Sequence, residues 1–183
     1  DNSERFSLAC NAYERAIQLS RNHLSKAELA DHLNAYFSFL YGNNQFTKSE
    51  AYIEECVSIR TELCRDHPET YEPDLADSYN NLANLYSDTQ RFKESEAMFK
   101  LALAIYERLA KGNPQAYEPN LADSYNNLAI LYYTTQRFKE SEAMYKSALA
   151  IRERLAKDNP QAYESDLADS YNNLAILYYT TQR

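Results

Sequence analysis

The chain has 183 residues, 27 acidic against 19 basic side chains, a formal net charge of -8, and only 2 Gly and 5 Pro. So few turn formers beside abundant Ala, Leu, Glu, Lys and Tyr favour long helices and leave little signal for strands, while the acidic balance disfavours DNA, RNA or an anionic membrane surface as the main partner. No apolar run approaches the roughly 20 residues that span a bilayer, and the three cysteines, Cys10, Cys56 and Cys64, lack CxxC spacing and accompany no N-x-S/T sequon, so a soluble chain in a reducing, cytoplasmic compartment is expected.

Taken in chain order, Ser7 to Ser25 reads as a lone helix, with Tyr13, Ala16, Ile17 and Leu19 at helical spacing. Glu28 to Thr70 then holds a diverged copy of a unit repeated later in the chain, because Leu29-Ala30-Asp31 lines up with Leu75-Ala76-Asp77, Phe46 with Phe92, and Cys56 with Ala102. Phe37 falls where later copies carry alanine, which leaves the register of that helix open to a slip of one residue. Tyr71 to Ala116 and Tyr117 to Ala162 are near-duplicates of 46 residues that differ at 8 positions, and a further copy opens at Tyr163 and runs to Arg183. A period of this length marks a solenoid, in which each repeat buries its apolar face on its neighbours. The sequence division is therefore one solenoid: a helix B in 1–27, a diverged repeat in 28–70, full repeats in 71–116 and 117–162, and a helix A in 163–183. A start at Asp1 and an end partway through a copy read as a segment of a longer protein.

Within a copy, Pro73 is expected at the first position of helix A, followed by Leu75, Tyr79, Leu82, Ala83 and Tyr86 at steps of 3 and 4. A polar turn from Asp88 to Arg91 leads to helix B, with Phe92, Ser95, Phe99, Ala102 and Ile105, and Gly112, Asn113 and Pro114 end the run. The next copy repeats this with helix A from Pro119 to about Thr134 and helix B from about Phe138 to Lys157, and the GNPQAYEP and DNPQAYES stretches read as linkers.

The run Tyr79-x2-Leu82-Ala83-x2-Tyr86 with Ser95-x3-Phe99-x2-Ala102 resembles the tetratricopeptide pattern, with Tyr for Trp, Ala for Gly and Ser for the first alanine of helix B. YNNLAILYYTTQRFKESEAMYKSALAIRERLAKDNPQ is similar to the long repeats of kinesin light chain, with Gln90, Gln136 and Gln182 in place of the usual turn glycine. The resemblance implies an all-α, right-handed superhelical solenoid of antiparallel helix pairs, with A helices on its concave side, and a binding scaffold in place of an enzyme.

Candidate groove residues come from the non-core positions of helix A. Asp77, Asp123 and Asp169 repeat at one position, as does Asp31 in the diverged copy; Asn80, Asn126 and Asn172 repeat at a second; Asn81, Asn127 and Asn173 at a third. Asparagine is a poor helix former with one donor group and one acceptor, so paired asparagines in mid-helix serve either the backbone of an extended ligand or the repeat's own frame. The resemblance implies the first use, since kinesin light chain turns asparagines of such runs on peptide cargo. Differences between copies cluster here: Asn84 becomes Ile130, Ser87 becomes Tyr133 and Asp88 becomes Thr134, so Ile130, Tyr133, Ile176 and Tyr179 form an apolar, aromatic stretch. With helices stepping by about 10 Å and an extended chain rising about 3.3 Å per residue, each repeat meets about three ligand residues and four A helices about nine. The acidic column suggests a neutral to basic peptide or protein partner.

His23, His32 and His67 have no companions at metal-ligand spacing, and no phosphate loop or nucleophile motif is present, so no catalytic residue, metal or cofactor is expected. Two other functions fit the pattern. Tyr171, Leu174, Ala175 and Tyr178 lack a helix B and would support self-association, and the array would also serve as a regulatory module of a larger signalling enzyme.

Overall fold

A computed structural model describes residues 1–182; Arg183, the last residue of the final copy, lies outside them. Eight α-helices run in order: α1 (Asn2–His23), α2 (Lys26–Gly42), α3 (Phe46–Asp66), α4 (Pro68–Asp88), α5 (Phe92–Gly112), α6 (Pro114–Thr134), α7 (Phe138–Asp158) and α8 (Pro160–Thr180). No strand occurs among the described residues. The chain forms two compact units, Asp1–Thr89 and the residues from Gln90 onward. In the first, α1 packs on α2, α2 on α3 and α3 on α4; in the second, α5 packs on α6, α6 on α7 and α7 on α8. Each unit is thus a helix B, a helix A, a helix B and a helix A.

Helix A begins five residues earlier than the sequence suggests. Pro68, Pro114 and Pro160 occupy the first turn, and Pro73 and Pro119 lie inside the helix. A proline at the first position costs nothing, because its missing N–H has no intrahelical acceptor. The inner proline forgoes only one backbone bond. It does not set the boundary: the last copy has Ser165 at that place, and its helix still starts at the outer proline, Pro160. The expected linkers therefore shrink to one residue, His67, Asn113 or Asn159. Each has φ near -140° (-139, -143 and -142), the extended geometry that a following proline imposes.

The turn from helix A to helix B is a Schellman motif. Gln136 has φ 59°, its N–H donates to the Tyr133 carbonyl at 3.0 Å, and the Arg137 N–H donates to the Tyr132 carbonyl at 2.8 Å. The Arg137 guanidinium lies 4.1 Å from the Tyr132 ring centroid, closing the side-chain contact that accompanies this motif. Asn44, Gln90 and Gln182 share the left-handed backbone.

Small residues set how closely the helices approach. Ala76, Ala102, Ala122, Ala129 and Ala148 are fully buried, and the buried Ser141 hydroxyl donates to the Ala129 carbonyl across the α6–α7 pair at 2.8 Å. The diverged copy solves the same packing with rings. Phe37 is buried, stacks on Tyr41 at 5.4 Å, and keeps the position of the later alanines with no slip of register. Ser49 there donates to a carbonyl of its own helix, that of Phe46.

Tyrosines and glutamates staple each helix A to the preceding helix B. Tyr86 donates to Glu54, Tyr132 to Glu96 and Tyr178 to Glu142. Glu96 also accepts from Arg137 and Lys100. Burial alone would raise its carboxyl, but these three donors together outweigh burial and hold it at about 2, below the usual 4.5.

Two outcomes are expected. Gln136→Gly relieves a left-handed backbone that costs a side-chain-bearing residue about 1 kcal/mol, so the variant gains about 0.5–1 kcal/mol in urea unfolding. A carboxylate held low in the folded state stabilises above its unfolded value and loses that contribution as pH falls through the folded one. Between pH 4.5 and about 2 the parent loses stability faster than Glu96→Gln, as read from urea midpoints across that window.

Candidate peptide-binding face

The structure brings the two asparagine columns together within each unit. Asn81 Nδ2 donates to Asn34 Oδ1 at 3.1 Å in the first unit, and Asn173 Nδ2 donates to Asn126 Oδ1 at 2.9 Å in the second. The step is 47 residues, so the second asparagine of one copy meets the first asparagine of the copy before it. A second tie spans the same step: the Tyr41 hydroxyl donates to Asp88, and the Tyr133 and Thr180 hydroxyls lie 2.9 Å apart. Within each unit the two A helices are joined at two levels.

Each tie engages one polar group of each asparagine side chain. In the second unit Asn126 Nδ2 and Asn173 Oδ1 retain donor and acceptor capacity. Both residues are half-buried. Around them Asp123, Asp169 and Asn172 are exposed, and Asn127 is half-buried. One turn further along the helices, Ile130 and Ile176 are 44% and 46% exposed. Tyr179 is 88% exposed, whereas its counterpart Tyr133 is half-buried and bonded to Thr180. On α4 of the first unit Asp77 is exposed, and Asn80, Asn81 and Asn84 are half-buried.

The aspartate column has a partner that its spacing on helix A does not reveal. Arg152, on α7 and almost fully buried, donates from Nη2 to Asp123 Oδ1 at 2.6 Å, and from Nη1 to the Asp166 carbonyl at 3.1 Å and Ser170 Oγ at 2.9 Å. Arg60 makes the same set with Asp31, Asp74 and Ser78. The equivalent position in the intervening copy is Tyr106, whose hydroxyl accepts from Asn120 at 3.4 Å. A signal is present in the sequence: where helix B carries Arg60 or Arg152, the following helix A carries Asp74 or Asp166, and where it carries Tyr106 the partner is Asn120. Asp123 stays 62% exposed on its other side, and Asp169 on α8 has no such arginine among the described residues.

A cavity of about 760 Å3 at the start of α6 and the end of α7 contains Arg154, which Glu118 holds by two bonds of 2.6 and 3.3 Å. Among the described residues no group of three His, Cys, Asp or Glu is placed to hold a metal, and no helix is long and apolar enough to cross a membrane.

Repeated A–B helix pairs tied edge to edge define an all-α repeat solenoid. Two tetratricopeptide-repeat family models match, one over residues 74–154 and one over residues 38–69. The chain is a tetratricopeptide-repeat protein. It is similar to the crystal structure of BtubC (BKLC) from P. vanneervenii, with 22% identity over 99% of this chain and 68% of that one and a TM-score of 0.81. It is also similar to the nearly identical TPR-like repeats from Podosopora anserina described as those of a kinesin light chain, with 16% identity over 100% and 91% of the two chains and a TM-score of 0.64. A third likeness is to aspartyl phosphate phosphatase F from Bacillus subtilis, with 16% identity over 93% of this chain and 44% of that one and a TM-score of 0.65. At these identities the structures share a fold. No curated protein matches the chain.

The buried guanidinium gives a direct test. Arg152→Ala removes three hydrogen bonds and the packing of the side-chain stem, for a loss of about 2–3 kcal/mol in chemical unfolding. Arg152→Tyr combined with Asp166→Asn rebuilds the arrangement of the middle copy and recovers most of that loss. Equal stability of the alanine variant and the parent would show that the arginine holds nothing.

Proposed function

We propose that the chain is a protein-interaction scaffold whose α6–α8 face in the second unit holds an extended segment of a partner. The tetratricopeptide fold is that of protein–protein interaction scaffolds, and such arrays are in general non-enzymatic. The observation that carries the finer reading is the Asn126–Asn173 tie. It fixes two side-chain amides side by side and leaves a donor on one and an acceptor on the other. A residue in extended conformation presents its own N–H and C=O on one edge, so such a pair matches it in a two-point contact. Ile130, Ile176 and Tyr179 supply rigid apolar contact area next to that pair.

The asparagines serve the frame and the ligand at once, since half of each amide joins the helices and the other half keeps its hydrogen-bonding capacity. Asn172, Asn127 and the exposed edge of Asp123 flank the same strip, and Asp77, Asn80, Asn81 and Asn84 make a more polar counterpart on α4 of the first unit. A neutral to basic ligand suits both. Peptides selected on the intact chain from a random twelve-residue library are expected to lose about tenfold in affinity with Asn126→Ala or Asn173→Ala, about 1.4 kcal/mol, while Lys100→Ala on α5 leaves them unchanged. Selected peptides that bind all three variants equally would end this reading.

A further inference from the structure

Three rows cross the second unit's face in a fixed order. Along α6 they are Asp123, Asn126 and Ile130; along α8 they are Asp169, Asn172 with Asn173, and Ile176. Successive members are three or four residues apart, so on a helix rising about 1.5 Å per residue each row lies about 5–6 Å from the next and on the same side. The asparagine row is bounded by carboxylates on one flank and by aliphatic side chains on the other.

A strand laid along the asparagine row cannot offer the same side chain to both flanks. Its successive side chains point in opposite directions, so odd residues meet one row and even residues the other. We propose that the segment bound here alternates basic with aliphatic residues, Lys or Arg towards Asp123 and Asp169, and Val, Ile or Leu towards Ile130 and Ile176. This rests on the peptide-binding reading above and adds the partner's sequence pattern to it. Charge supports the basic half: Asp123 keeps an exposed edge beyond its arginine, Asp169 is exposed, and the chain carries a net charge of -8. The exposure of Ile130 and Ile176 supports the aliphatic half. In the first unit the equivalent of the isoleucine row is Ser38 and Asn84, so the selectivity belongs to the second unit.

Three ten-residue peptides test this on the intact chain: one alternating Lys and Val, one with the same composition in two blocks, and one alternating Glu and Val. Titration calorimetry is expected to show the alternating Lys–Val peptide binding at least tenfold more tightly than either of the others and weakening with added salt. Ile130→Ser with Ile176→Ser should erase the preference over the block peptide, and Asp169→Asn should narrow the preference over the Glu peptide. Equal binding of alternating and block peptides, with both still weakened by Asn126→Ala, would overturn the alternation and leave the face intact as a peptide site. Binding of the Lys–Val peptide that ignores the asparagine, isoleucine and aspartate variants alike would overturn it by placing the peptide elsewhere. Failure of the Lys–Val peptide beside library peptides that bind and respond to Asn126→Ala overturns the pattern alone; failure of every peptide overturns the pattern and the peptide-binding reading together.

Discussion

A guanidinium buried on helix B holds the helix A before it and the helix A after it. Arg152 reaches Asp123 on α6 and both Ser170 and a backbone carbonyl on α8, so one side chain sets the spacing of three helices. An arginine so deeply buried is stable only when its donors are satisfied, and the planar fork supplies the geometry that a lysine would not. The distance between A helices thereby becomes a fixed quantity, and it is this distance that brings Asn126 within 2.9 Å of Asn173. The face is assembled from behind.

The copies are not interchangeable at their seams. Arginine occupies this helix B position in two copies and tyrosine in the one between them, and the residue 14 positions on is aspartate in the first case and asparagine in the second. The ion pair between Lys26 and Glu62 reappears 92 residues later as Glu118 with Arg154, with the signs exchanged. Setting α3 against α6 would place Glu62 opposite Glu118, and setting α7 against α2 would place Arg154 opposite Lys26, so this seam disfavours exchange between the diverged copy and the last full one.

Much of this is legible in the sequence because it is periodic. The 46-residue step marks the helix pairs, the alanine and tyrosine positions of the core, and the polar columns on helix A. The start of helix A is misplaced by sequence because two prolines compete for it, and only the Ser165 copy, set against the structure, shows that the outer one decides. The asparagine tie is hidden for a geometric reason. Comparing equivalent positions tracks steps of 46, whereas adjacent A helices touch at a step of 47, joining two columns that the repeat period keeps apart. The arginine is hidden because it sits on helix B in a stretch that reads as frame, and its meaning lies in a correlation with the residue 14 positions downstream.

The junction between helix B and the next helix A is one residue long, at His67, Asn113 and Asn159. An extra residue taken up by either flanking helix would rotate that helix's exposed surface by about 100° and carry its polar stripe away from its neighbours'. Length variation during the history of such an array is thereby steered to the opposite end of each hairpin, or to the gain and loss of whole hairpins. A protein assembled this way changes its reach in fixed increments and its taste by point substitution.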